Sequence, residues 1–533
     1  MTGQPTPSQP RPQPIPSAGS PAPTREIELK LCAPAADLLR LLDLDEVTSI
    51  ATGPAQRTRQ RTTYFDTPDL RLARGGIALR VRRVGNSRVQ AVKTTGSAPG
   101  PASGKAGGGG AVAVRREWEW PIQTDTPDLS LLSELELDAA LPDGALDRLG
   151  PVFVTDVQRT TVLLRPDPRV EVELAIDIGQ VTASPPGAAQ RHQPISEVEL
   201  ELKAGRMSDL LTLAAALHRR VPLHLSTRSK ADEGFGLLTG RRPRSKPAGP
   251  VGLSPATTVA EAFRHIGRNA LGQLLDNAPA FQADGDPEAL REMAAATRRL
   301  EAAFVLFKDV IVHPRRDGLR HELRGLAEPL ALARAWDRVA ARVSGHGGGA
   351  AAGPLAAAVA TARRTARLQA LETLNGPAWT GWALGFGAWL EDGAWADGEG
   401  FAGTMREIAP TLLAKRLAKL EKSARKLPDG PTAKLWRRLQ RLRYGIDFFR
   451  SLFPADRVRP VLAAVDSLRG PCKTLMDGHE AETLLADMRD GLPRESRAAL
   501  RSLLETIATH RAEARAALPA AWADLRATPV FWD

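Results

Sequence analysis

Strictly alternating side chains recur through the first half of the chain. In residues 25–31, Glu26, Glu28 and Lys30 alternate with Ile27, Leu29 and Leu31. Successive side chains of a β-strand point to opposite faces, so this stretch predicts a strand with one apolar and one charged face. The period returns at Leu79-Arg80-Val81-Arg82, and again where Arg115, Glu117 and Glu119 alternate with Val114, Arg116, Trp118 and Trp120. Arg159 and Arg165 share a parity with Thr161 and Leu163. Glu171, Glu173 and Asp177 alternate with Val172, Leu174 and Ile176. Glu197, Glu199, Glu201 and Lys203 alternate with Val198, Leu200 and Leu202. Any one of these is an ordinary amphipathic strand with its charged face in water. Closed into one sheet with the charged faces inward, they make a lumen rich in both acids and bases. Carboxylates suit a hard cation and guanidinium groups match phosphate geometry, which is the pairing that a metal-bound polyphosphate requires.

The pattern divides the chain. Residues 1–23, rich in Pro, Gln, Ser and Thr, predict a disordered tail. A first domain spans 24–240. It has a helical turn at 37–44 and strands at 62–66, 77–84, 88–95, 112–120, 153–165, 169–178 and 194–203. Helical segments are expected at about 130–149 and an amphipathic helix at 208–220. The glycine-rich stretch 95–110 and the segment 183–193 read as loop insertions. Lys105 lies among glycines, but no G-x-x-x-x-G-K-[ST] arrangement surrounds it, which argues against a phosphate loop. Residues 241–255 carry Arg241, Arg242, Arg244, Lys246 and four prolines, and read as a basic linker. From 256 to 533 Ala, Leu and Arg dominate, strand patterns vanish, and Pro/Gly breaks separate helical stretches, as in a helical bundle.

Composition narrows the partners. Among 533 residues the net charge is +11, which favours polyanions. Cys32 and Cys472 lie far apart without metal-ligand spacing and read as reduced thiols of a cytoplasmic protein. No apolar run is long enough to cross a bilayer, and the N-terminus lacks a signal-peptide core. Neither a membrane nor a specific nucleic acid is expected as a partner. The nine histidines are scattered without zinc spacing.

Several motifs occur in order: Glu26-x-Glu28-x-Lys30, Tyr64-Phe65-Asp66-Thr67, Leu79-Arg80-Val81-Arg82, Lys93, Thr155-Asp156-x-x-Arg159, Ile176-Asp177-x-Gly179, the 195–203 strand and Ser229-Lys230. In this order they resemble the CYTH superfamily, named for class IV adenylate cyclases and thiamine triphosphatases. The resemblance implies an α+β chain whose N-terminal part is an antiparallel β-barrel enclosing a triphosphate tunnel. It also implies that Glu26, Glu28, Asp177, Glu199 and Glu201 hold Mg²⁺ or Mn²⁺. Lys30, Arg80, Arg82, Lys93, Arg159 and Lys230 would grip the phosphates, with Arg165 a weaker candidate. Glu26, Glu28, Lys30 and Arg159 are the expected catalytic set, while Glu117 and Glu119 would place the arginines.

The helical half resembles the CHAD domain, which commonly follows a CYTH domain and is associated with polyphosphate binding. Segments 293–305 and 435–449 look like an internal duplication. The sequence departs from the CHAD pattern with Arg291, Ala294 and Glu301 in the first repeat. Ala433, Trp436 and Gln440 depart from it in the second. A basic row, Lys415, Arg416, Lys419, Lys422, Arg425 and Lys426, remains.

The expected activity is metal-dependent hydrolysis of inorganic triphosphate, or a similar small triphosphate, to diphosphate and phosphate. The alternatives are a cyclase-like or thiamine triphosphatase activity, or a non-catalytic polyphosphate-binding or tethering protein. Association with polyphosphate granules is one role open to the helical half.

Overall fold

The structure is a computed structural model and describes residues 24–94, 110–132, 135, 146–346, 353–396, 403–425 and 433–532. The tail at 1–23, nearly all of the 95–110 insertion, most of the 130–149 helical expectation and Lys426 lie outside these residues.

Eight strands form the first half: β1 (Thr24–Cys32), β2 (Gln56–Asp66), β3 (Ile77–Val84), β4 (Ser87–Thr94), β5 (Ala113–Ile122), β6 (Gly150–Asp167), β7 (Val170–Ala183) and β8 (Arg191–Ala204). Their order is β5-β4-β3-β2-β6-β7-β8-β1, and β1 pairs back onto β5, so the antiparallel sheet closes into a barrel. A two-residue strand, β9 (His224–Leu225), adds to the outer edge of β1. Closure resolves what alternation leaves open. Leu29 and Leu31 face an outer apolar layer and are fully buried, while Glu28 and Lys30 point inward and are almost as deeply buried.

Short helices α1 (Ala35–Arg40), α2 (Asp45–Thr48) and α3 (Arg71–Arg74) cap the barrel, followed by α4 (Met207–Arg220) and α5 (Lys230–Thr239). Trp120 is buried with Leu72, Leu79, Val92 and Leu132 on the outer face of β3–β5, and Trp118 packs against that cluster. The 183–193 insertion is shorter than expected. Val181, Ala183 and Ile195 are buried in one apolar cluster with Tyr64 and Phe153, so burial prolongs both strands and leaves only 184–190 between them. Around 130–149, short 3-10 turns occupy Leu129–Leu132 and Leu146–Arg148.

Gly179 has a steric reason to be glycine. A Cβ there would sit 2.1 Å from the Asp156 carbonyl oxygen and 2.7 Å from the Val157 Cα on β6. Both are backbone atoms of a paired strand and cannot move aside cheaply. Gly179→Ala is therefore expected to cost about 3 kcal/mol, the upper range for overpacking. A thermal midpoint equal to wild type would contradict this.

The second half is helical: α6 (Val259–Asp284), α7 (Pro287–Leu306), α8 (Pro314–Gly345), α9 (Gly353–Asn375), α10 (Pro377–Asp392), α11 (Met405–Ala424), α12 (Ala433–Phe449), α13 (Ala455–Ala486) and α14 (Arg494–Ala527). Helix α6 starts at a capping box, in which the Thr258 hydroxyl accepts from the Glu261 N–H and the Glu261 carboxylate accepts from the Thr258 N–H. The two halves share one apolar core. Leu210, Leu211, Leu213, Ala214 and Leu217 of α4 are buried between the barrel and α10. At Gly387 of α10 a Cβ would already meet Leu211 at 3.3 Å. His218 spans the seam, with Nε2 2.8 Å from the Pro377 carbonyl oxygen and Nδ1 accepting from the Leu223 N–H. That histidine serves packing.

Candidate active site

The inward faces of the barrel enclose a cavity of about 960 Å³, at the upper end of the usual range for small-molecule sites. Every expected metal-holding or phosphate-gripping side chain except Arg165 borders it. Glu26, Glu28 and Lys30 come from β1, Arg80 and Arg82 from β3, and Lys93 from β4. Arg159 comes from β6, Asp177 from β7, Glu199 and Glu201 from β8, and Lys230 from the start of α5. Their residue types demand water or partners, and the closed sheet supplies the partners.

Three cations and three carboxylates interlock at one side. Lys30 Nζ lies 2.8 Å from Glu197 and 3.0 Å from Glu199. Lys230 Nζ lies 2.7 Å from Asp177 and 2.8 Å from Glu199, and also pairs with Glu197. Arg159 meets Asp177 with both arms of its fork, at 2.8 and 2.6 Å, and reaches Glu199 at 2.5 Å. Burial pushes the Glu199 carboxyl up, but Lys230, Lys30 and Arg159 outweigh it and hold the group well below the usual carboxylate range. Burial and the same kind of neighbours act on Asp177, which is also lowered. Local chemistry delivers Lys230. The Ser229 hydroxyl accepts from the Asp232 N–H at 3.1 Å while the Asp232 carboxylate accepts from the Ser229 N–H at 2.8 Å, a capping box that starts α5 at Lys230.

A second set lies across β3, β4, β5 and β1, with a further pair on β8. Lys93 Nζ is 2.8 Å from Glu26 and 3.1 Å from Glu117, and Arg80 donates to Glu117 at 3.0 Å. Arg82 donates to Glu119 at 3.0 Å, and Lys203 pairs with Glu201 at 2.7 Å. Strand register sets Lys93 directly opposite Glu117, whereas Arg80, in the row of Ala91 and Glu119, and Arg82, in the row of Val89 and Pro121, reach diagonally to Glu117 and Glu119.

Glu28 stands apart. It is 7% exposed, yet among the described residues its carboxylate makes neither an ion pair nor a side-chain hydrogen bond. Burial first, then the charge of Glu199, pushes its pKa from 4.5 to about 7. Arg165 is a correction to the expected phosphate set. It does not border the cavity but is exposed and donates to Glu171 at 2.8 Å, because β6 runs on past the cavity into a register shift after Leu164.

The chain matches two domain families: the CYTH domain over residues 24–235 and the CHAD domain over 265–485. It is a CYTH–CHAD protein. The CYTH part is similar to an inorganic triphosphatase from Haemophilus influenzae, with 32% identity over 174 residues. That match covers 32% of this chain and 44% of the relative, so the chain spans less than half the length of the curated relative. Among solved structures, the CHAD domain from the plant Ricinus communis aligns at 25% identity over 54% of this chain and 98% of its own, with a TM-score of 0.49. A Hippeastrum protein for which a dominant triphosphatase activity is described aligns at 18% identity over 40% of this chain and 96% of its own, with a TM-score of 0.29.

Within the CYTH domain the donor set fits a divalent cation. Carboxylate oxygens of Asp177, Glu197 and Glu199 lie within 4.8 Å of one another. The unpartnered, buried Glu28 carboxylate is the acid best able to accept a cation, because a positive charge beside it would relieve both causes of its raised pKa. Glu197 was not among the expected ligands, although it shares the parity of Glu199 and Glu201. Parity carried that signal. Lys246 and Asp276 also border the cavity, and no periodicity points to them.

The CHAD half carries its own basic groove of about 760 Å³, between α7, α8, α12 and α13. Arg298, Arg334 and Arg338 line it, with Trp436 and Gln440 at positions where the family pattern is departed from. Burial, then Arg298 and Arg338, pushes the Arg334 guanidinium down to about 10. Glu301 sits outside this groove and accepts from Arg320 and Arg324, each at 2.7 Å, so an acid there neutralises neighbouring arginines.

Proposed function

We propose that the tunnel hydrolyses inorganic triphosphate, or a closely similar small triphosphate, to diphosphate and phosphate with Mg²⁺ or Mn²⁺. The observation that carries this reading is a buried cavity whose wall combines paired cations with an unpartnered acid, Glu28. A pure anion binder gains nothing from burying such a carboxylate, which costs stability unless a cation compensates it.

Phosphoryl transfer depends on positioning and charge neutralisation more than on covalent chemistry by the protein. Glu26, Glu28, Asp177, Glu199 and Glu201 are the residues to hold the divalent cation. When bound, the cation neutralises phosphate oxygens and makes water more acidic. Lys30, Lys93, Lys230, Arg80, Arg82 and Arg159 bind the phosphate chain. Their ion pairs with Glu117, Glu119, Asp177 and Glu199 hold them in place before substrate arrives, so little reorganisation remains for the reaction. Lys30, Lys230 and Arg159, grouped on one side, stabilise the charge that develops on the departing phosphate.

The test is phosphate release from inorganic triphosphate, ATP and thiamine triphosphate, each with Mg²⁺, Mn²⁺ or EDTA. Release from inorganic triphosphate that exceeds the other two and stops with EDTA is the expected result. Release that persists in EDTA removes the metal from the reading. The basic groove of the CHAD half favours a second reading, in which the chain binds polyphosphate without turnover. No release from any substrate, with polyphosphate still bound, makes that reading the better one.

A further inference from the structure

The linker and the first CHAD helix reach the tunnel. Asn277 of α6 is fully buried and clamps the linker backbone at one residue. Its Oδ1 accepts from the Lys246 N–H and its Nδ2 donates to the Lys246 carbonyl, both at 2.8 Å. Nδ2 also donates to the Gln273 carbonyl at 2.7 Å, so the amide itself is held in one orientation. Next to it, the Asp276 side chain lies beside Thr227, two residues before the cap that starts α5 at Lys230. Lys246 and Asp276 border the same cavity as Lys230 and Glu199. The CHAD half thus forms part of the tunnel wall beside Lys230.

Lys246 differs from the lysines deeper in. Lys30, Lys93 and Lys230 are each paired with carboxylates and largely shielded from water. The Lys246 side chain is exposed, and among the described residues its ammonium makes no ion pair. Its backbone is pinned in two directions, and its ammonium stands at the cavity's edge, where the nearby Asp276 carboxylate feels its charge but lies beyond ion-pair distance. Such an exposed charge acts on the approach and capture of a polyanion.

We propose that Lys246 is a substrate-capturing residue of the tunnel, positioned by Asn277 of the CHAD half, and that the helical half thereby sets affinity for triphosphate. This rests on the reading of the tunnel as a triphosphate site. The experiment is steady-state hydrolysis of inorganic triphosphate by the full chain carrying Lys246→Ala, Lys246→Glu or Asn277→Ala. Lys246→Ala is expected to raise KM about three- to tenfold and Lys246→Glu more, with kcat within about twofold and the difference shrinking as KCl is added. Asn277→Ala, which keeps the charge but frees the backbone, is expected to raise KM in the same direction. Unchanged KM in both Lys246 variants overturns the proposal while leaving the triphosphatase reading intact. If wild type releases no phosphate, that reading fails separately, and calorimetric titration with inorganic triphosphate decides the capture role. Weaker binding by Lys246→Glu than by wild type supports it. Equal binding, or none by wild type, overturns it.

Discussion

Glu28→Gln is expected to lower the rate of triphosphate hydrolysis by about a hundredfold or more while triphosphate still binds, and to raise thermal stability in EDTA. Loss of a group that acts on the transition state commonly costs two to three orders of magnitude. Binding survives because Lys30, Lys93, Lys230, Arg80, Arg82 and Arg159 are untouched. The stability gain follows from the raised pKa of the buried acid. With a folded-state pKa of about 7 against 4.5, Glu28 favours folding only when protonated. Its penalty grows as pH rises from 4.5 to about 7, and above that range is about 3 kcal/mol at most. An amide of the same shape removes the charge and with it the penalty, so the gain is expected at pH 8 and absent at pH 4. Wild-type activity would take Glu28 out of the chemistry. A lower midpoint in EDTA at pH 8 would mean that its carboxylate is compensated by the protein itself.

Lys230→Ala is expected to abolish hydrolysis and also to destabilise the fold, unlike Glu28→Gln. Lys230 pairs with Asp177, Glu197 and Glu199, of which Asp177 is fully buried. Removing one partner of a buried pair leaves uncompensated charge and costs about 3–5 kcal/mol. Because Asp177 and Glu199 are held below the usual carboxylate range, their contribution exists at neutral pH and is lost as pH falls through their folded-state pKa values. The variant's deficit in thermal midpoint is therefore expected at pH 7 and smaller near pH 3. The two substitutions separate the roles of their residues. One removes a charge the protein leaves exposed to its own field, and the other removes a charge that the protein needs in order to fold. A Lys230→Ala midpoint equal to wild type at pH 7 would refute the structural half of this assignment, and retained turnover the functional half.

Much of the tunnel was legible from parity alone. Alternation placed Glu26, Glu28, Lys30, Arg80, Arg82, Glu117 and Glu199 on charged faces, and these faces do line the cavity. It also put Trp118 and Trp120 on the opposite face, where they pack with apolar neighbours. Parity went too far at Arg165, which has the same phase as Arg159 but lies beyond the cavity, since period two says nothing about where a strand leaves the barrel. At Glu197 the pattern was present but the residue was not singled out. Its importance comes from Lys30 and Lys230, which arrive from β1 and α5.

The sequence by itself determined the strands, the charged face of each, the helical second half and the ordered motifs by which both domains are recognised. These are local properties, set by side-chain period and by residue type. Only the tertiary structure decided which acid meets which base, that Glu28 has no partner among the described residues, and that Lys246 and Asp276 border the tunnel. Those outcomes depend on strand order, on the closure of β1 onto β5 and on the shared core between α4 and α10. Charge pairing acts through space between residues far apart in the chain, and a one-dimensional pattern carries no record of that distance.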